Sequence, residues 1–185
     1  SPYALHTIGS AMICTADAYV AVGGMNRREA AEDFYFLNKL AKYKTVGRIT
    51  TTTVYPSARP SQRVPFGTGR RIIRFLEGGQ DEFLLYDPSV FSVLKKWLDA
   101  MKSLPDRESD EILEMAGKIN PAFLAFLEMN NFSETWRRIR KNVKGREGLL
   151  RHFHFWFDGF KTMKLIRFLT DHGFPQLDMF QSLAG

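Results

Sequence analysis

Two carboxylates, Glu32 and Asp33, stand side by side at what reads as the start of a helix. Gly23-Gly24-Met25-Asn26-Arg27 precedes them, and Phe34 opens an apolar periodic stretch after them. Acidic residues in a first turn have an ordinary explanation: they complement the partial positive charge of the helix N-terminus for roughly some tenths of a kcal/mol. The chemical alternative is that one of them faces a cleft and takes a proton, as a general base must. Helix phase permits either carboxylate in that role, and spacing alone favours the ordinary explanation.

A second constellation runs from Tyr55 to Arg70. Gly67 and Gly69 flank Thr68 at a helix start, and Arg59, Arg63 and Arg70 lie nearby in sequence. Backbone N–H groups at such a start, with guanidinium forks beside them, can cradle a phosphate. The glycine spacing is neither that of a P-loop nor that of a dinucleotide fingerprint, so a plain turn explains it better on spacing alone. Cys14 reads as a small buried hydrophobe. His152 and His154 are two residues apart and point to different faces of a helix, a poor metal pair. The Asp-x-Asp-like candidate, Glu108 with Asp110, falls in a helical segment.

The elements that must position these groups fall into two sets. Residues 6–14 are small and apolar and read as a short buried strand. Thr15 and Asp17 suit the cap and first turn of a helix over 16–22, stopped by Gly23-Gly24. Residues 30–43 read as a helix, with Phe34, Leu37 and Ala41 at helical spacing. The β-branched run 46–55 reads as the best strand, ended by Pro56. Residues 69–77 look helical until Gly78-Gly79. Beyond that point everything reads as helix: 88–103, 106–119, 121–129, 133–144 and 147–171. Asp87-Pro88, Asp106 and Asn120-Pro121 supply start signals, and Pro105 and Gly145 supply stops. The expectation is therefore an α/β piece over 1–78 followed by a helical domain over 79–185. Two strands are too few for a sheet of their own, so they are expected to join a larger sheet outside this chain or, as the weaker alternative, to pair with another copy.

Hydrophobic residues make up 44% and charged residues 25% of the 185 positions, ordinary values for a folded domain. No apolar run approaches the roughly 18 residues that span a bilayer. A single cysteine rules out a disulfide scaffold and fits a reducing compartment. No secretory leader is read at Ser1-Pro2-Tyr3, and a start without Met suggests a cut from something longer. The net charge of +6 is local. Residues 34–76 hold nine cations and no carboxylate, leaving 17 cations against 20 anions elsewhere.

The order Gly9-Ser10-Ala11-Met12, Val22-Gly23-Gly24-Met25 and Ala31-Glu32-Asp33-Phe34-Tyr35-Phe36-Leu37 resembles the second half of a family 2 glycosyltransferase catalytic domain. The resemblance covers residues 8–55, and more weakly 59–70. It implies the acceptor-side half of a GT-A-like α/β domain and an inverting transfer from a nucleotide-sugar to the hydroxyl of a carbohydrate or lipid-linked acceptor. It makes Asp33 the base and Glu32 its helper, and places Gly9 and Ser10 in the acceptor-side loop. Arg59, Arg63 and Arg70 are candidates for the leaving diphosphate or an anionic acceptor on chemistry and position alone. The resemblance also implies a divalent metal, Mn²⁺ or Mg²⁺, whose ligands belong to a nucleotide-binding half upstream of Ser1. A chain lacking that half would turn nothing over by itself. The Gln-x-x-Arg-Trp signature of processive synthases is absent, which argues against a polysaccharide synthase of the cellulose or chitin type.

The rival expectation is a non-catalytic basic module that binds nucleic acid or another polyanion through residues 34–76. No nucleic-acid fold signature accompanies the basic stretch, so no nucleic acid is expected. A third reading is a helical assembly module. A homo-oligomer is compatible with the sequence. So is peripheral membrane contact through 149–169, where Phe153, Trp156, Phe157, Phe160 and Met163 form a stripe flanked by Arg151, Lys161, Lys164 and Arg167. Core packing is the commoner use of such a stripe. The expected location is the cytoplasm, with the inner membrane surface as the site of any such contact.

Overall fold

The computed structural model describes residues 3, 11–27, 31–55, 60, 68–78 and 83–183. Backbone contacts divide the chain between Phe83 and Leu84 into two units.

In the N-terminal unit, α1 (Ala16–Ala21) begins where the Thr15 hydroxyl accepts from the Ala18 N–H at 3.3 Å. It ends in the Gly23-Gly24 turn, both glycines at positive φ. Among the described residues of this unit, α2 (Glu32–Tyr43) and α3 (Thr68–Leu76) follow. Phe36, Leu37 and Leu40 of α2 make a small core, against which Met12, Ala18, Val22 and Val46 pack.

The C-terminal unit holds α4 (Pro88–Ser103), α5 (Ser109–Ile119), α6 (Pro121–Met129), α7 (Phe132–Asn142), α8 (Arg146–Trp156), α9 (Gly159–Asp171) and the short α10 (Met179–Leu183). Two short strands, β1 (Leu84–Leu85) and β2 (Leu177–Asp178), pair antiparallel with Leu84 opposite Asp178 and Leu85 opposite Leu177. The chain dictates the helix starts chemically. Asp87 accepts from Ser89 N–H at 2.7 Å with Pro88 at the first helical position, and Asn120 accepts from Phe123 N–H at 3.0 Å with Pro121 next. The core is aromatic and centred on Trp97 of α4. Its ring meets Phe123, Phe132, Phe153 and Phe157 edge-on, with centroids 5.1–6.1 Å away. A polar seam joins α5 to α7: Ser133 Oγ donates to Ser109 Oγ at 3.1 Å, and the Trp136 indole N–H donates to the Arg107 carbonyl at 3.0 Å.

The expected helix over 147–171 is broken in two. Asp158 turns inward and accepts from both Phe160 N–H and Lys161 N–H, at 3.0 and 3.1 Å, restarting the chain as α9. Phe153 and Phe157 are buried, while Met163 lies exposed on the second helix. The aromatic stripe is therefore not one continuous face. Asp158→Ala should cost about 0.5–2 kcal/mol, read as a lower urea midpoint with an unchanged denaturant slope. An unchanged midpoint would mean that the carboxylate does not hold the break.

The α/β expectation is overturned. The described chain is mostly helical, and its paired strands are β1 and β2, both in the C-terminal unit. It is not the acceptor-side half of a GT-A-like domain in fold. Residues 46–55 have no regular structure, and Ile49 and Tyr55 are 55% and 88% exposed. β-Propensity measures how well a side chain packs on a pleated surface, and among the described residues no strand lies beside the run to give its backbone groups a ladder. Of the other expected strand, residues 6–10 lie outside the described residues, and 12–14 are irregular. Cys14, expected buried, is exposed.

Candidate functional site

The acidic pair sits where α2 begins, and three local features fix that beginning. The Gly23-Gly24 turn closes with Gly23 N–H donating to Val20 C=O at 2.9 Å and Gly24 N–H to Tyr19 C=O at 2.8 Å. A Cβ on Gly24 would come within 3.0–3.1 Å of the Tyr19 ring, and its φ of +68° is left-handed, so the position demands glycine. Tyr19 in turn lies against Phe36 of α2, ring centroids 5.5 Å apart. Lys39 then reaches back from α2, its ammonium donating to Asn26 Oδ1 at 3.0 Å and to the Val22 carbonyl at 3.3 Å. This clasp ties the segment after the turn to the helix.

The third feature is Ala31, which caps α2 at φ 54° and ψ 23°. Asn131, the other described non-glycine residue at positive φ, belongs to a type that tolerates this region. Alanine has no such affinity, and strain of this sort collects where a neighbouring side chain must be aimed.

Glu32 and Asp33 follow directly, both half-buried in the first turn, where the helix dipole favours negative charge. Their directions differ. Asp33 stands three, four and seven residues before Phe36, Leu37 and Leu40, so it heads the buried stripe of α2, whereas Glu32, four residues before Phe36, lies at the edge of that stripe, about 100° around the helix from Asp33. Asp33 Oδ1 accepts from Phe34 N–H at 2.7 Å.

Arg70 lies exposed on α3, in the same unit. Gly9, Ser10, Arg59 and Arg63 lie outside the described residues, so the acidic pair is the one part of the sequence-read site brought together here. Glu108 and Asp110 are taken up in ion pairs with Arg140 and Arg137, the latter at 3.2 Å. Among the described residues no three His, Cys, Asp or Glu side chains gather as a metal group. No helix among them is long and apolar enough to cross a membrane.

The histidines of α8 have structural surroundings. His152 Nδ1 lies 3.0 Å from the Gly148 carbonyl oxygen. His154 Nδ1 is shut away from solvent without a hydrogen-bond partner, and burial pushes the imidazole from 6.5 down to about 4, with the Lys102 ammonium adding to the effect. Below pH 6.5 the unfolded chain takes up a proton that the folded chain refuses until about pH 4. Stability should therefore sit on a plateau above pH 6.5, fall as the pH drops towards 4, and level off below. His154→Gln should flatten that part of a urea-midpoint-against-pH profile. A variant with the parent's slope would place the titration elsewhere.

No protein-family model, no curated protein and no solved structure matches the chain.

Proposed function

We propose that the N-terminal unit carries the acceptor side of an inverting glycosyl transfer, with Asp33 as the general base. The observation behind this is the placement of Asp33 at the head of the buried stripe of α2, directly after the strained Ala31 and the glycine turn. The reading rests on this local order and on no sheet. Asp33 removes the proton of an acceptor hydroxyl on a carbohydrate or lipid-linked substrate. The oxygen attacks the anomeric carbon of a nucleotide-sugar opposite the leaving group, and the carbon–oxygen bond to the nucleoside diphosphate breaks with its electron pair leaving on the diphosphate. The configuration at carbon inverts. Glu32, at the edge of the stripe, orients the acceptor or the base. Arg59, Arg63 and Arg70 are the cations assigned to the diphosphate's growing charge. A divalent metal, Mn²⁺ or Mg²⁺, would supply charge neutralisation there. The described residues offer no donor set for it, and no step above is routed through it.

The nucleotide-binding part is assigned to chain outside residues 1–185, and the activity to the cytoplasm. The test is made on the full-length natural polypeptide. It is incubated with UDP-, GDP- and dTDP-sugars plus Mn²⁺ or Mg²⁺, and nucleoside diphosphate release is followed. Release that depends on one sugar nucleotide is the expected result. Neither release nor nucleotide binding would remove the transferase reading.

A second reading, a basic module that holds a polyanion without chemistry through residues 34–76, has one observation in its favour. Arg70, Arg71 and Arg74 share one exposed side of α3. Under that reading Asp33→Asn changes no binding, and affinity for the polyanion falls steeply with salt.

A further inference from the structure

The helix α3 has a composition that neither reading of the site uses in full. Its nine residues, Thr-Gly-Arg-Arg-Ile-Ile-Arg-Phe-Leu, contain three arginines, four large apolar side chains and no carboxylate. At about 100° per residue, Arg70, Arg71 and Arg74 fall within one arc, and Ile72, Ile73, Phe75 and Leu76 fall on the other side. The arginines are exposed, and so are Phe75 and Leu76, at 53% and 67%. Phe83, itself partly in solvent, lies against Phe75 with ring centroids 5.7 Å apart, widening the apolar side.

We propose that α3 lies in the surface of an anionic lipid bilayer, with Arg71 and Arg74 at the headgroup phosphates and Phe75 and Leu76 in the acyl boundary. Charge selects the partner class. The N-terminal unit, residues 2–83, carries 11 cations against seven carboxylates, and nine of those cations lie in the carboxylate-free run 34–76, so the unit has a net positive charge that favours an anionic surface. Apolarity selects within that class. A nucleic acid held by the arginine arc would leave Phe75 and Leu76 in water on the opposite side, whereas an interfacial helix uses both faces at once. The arginine stems are long enough to keep their charges at the headgroups while the apolar side sinks below them. The proposal is independent of the role given to Asp33. It is also a different surface from the aromatic stripe of residues 149–169.

The experiment is co-sedimentation of the full chain with vesicles of phosphatidylcholine alone and of equal parts phosphatidylcholine and phosphatidylglycerol. Two variants keep Arg70 untouched: Arg71→Gln with Arg74→Gln, and Phe75→Ser with Leu76→Ser. All four side chains are exposed, and far-UV circular dichroism checks that the helices persist. The parent should bind the mixed vesicles and not the neutral ones. The glutamine pair should lower partitioning about thirtyfold. The serine pair should lower it by about tenfold or more. A parent that stays in solution with both vesicles overturns the proposal, as does equal binding to both. So does a serine pair that binds like the parent while a short single-stranded oligonucleotide displaces it, since that would make the arc a polyanion face only.

Discussion

Replacing Trp97 by alanine should cost the C-terminal unit about 3–5 kcal/mol, a large share of the stability a domain of this size possesses. Trp97 is fully buried, and its four ring neighbours come from α6, α7, α8 and the residue just after α8. Truncation therefore opens a cavity bordered by three helices at once, none of which can close over it without dragging its own aromatic residue out of register. The indole nitrogen adds a second, separable effect. Its N–H has no acceptor among the described residues although it is closed off from water. Trp97→Phe removes that unmet donor, worth about 1–3 kcal/mol, together with part of the ring volume, so the two changes partly cancel. The expected order is parent, then phenylalanine within about 1–2 kcal/mol, then alanine far below. Urea unfolding followed by far-UV circular dichroism reads all three, and the unfolding slope checks that the transition stays two-state. An alanine variant within about 1 kcal/mol of the parent would show that the core is not organised around this ring.

How well the sequence announced its elements follows from how local their causes are. α4 and α6 start where Asp87-Pro88 and Asn120-Pro121 set them, because cap and first-turn proline act within three residues. The break between α8 and α9 was hidden, since Asp158-Gly159 lies inside an apolar periodicity that continues on both sides. Its cause is a buried carboxylate serving two N–H groups, which apolar spacing does not register. The run 46–55 failed in the opposite way. Its threonines and valines fit a pleat, but a strand is a relation between segments, and no described partner stands beside it.

At the candidate site, the acidic pair and the glycine turn were legible as residue types. The backbone and side-chain contacts around them were not. Ala31 gives no sign in the sequence that it is left-handed, and Lys39 is 13 residues from the Asn26 oxygen it binds. The choice between the two carboxylates was open on spacing. The burial of Phe36, Leu37 and Leu40 on one side of α2 is what supports proposing Asp33.

If Asp33 is the base of the proposed glycosyl transfer, Asp33→Asn should lower that transfer in the full-length polypeptide by about 10²–10⁴-fold while leaving the fold in place. The amide has the shape of the carboxylate, and its oxygen can still accept from Phe34 N–H, as Asp33 Oδ1 does at 2.7 Å. What it lacks is a lone pair basic enough to take the acceptor's proton. Substrate affinity should stay near the parent's, so the loss should fall on kcat rather than on KM. Glu32→Gln provides the contrast. Glu32 lies at the edge of the buried stripe and is assigned an orienting role; an orienting group loses less than a base does, so its kcat should fall clearly less than that of Asp33→Asn. An equal fall in both variants would fit a shared electrostatic role for the first turn of α2, with no single base. A large fall in Glu32→Gln alone would move the base to Glu32 and make the helix phase a matter of packing. Unchanged turnover in Asp33→Asn would take Asp33 out of the chemistry and leave its carboxylate with one function, neutralising the N-terminus of its own helix for a few tenths of a kcal/mol.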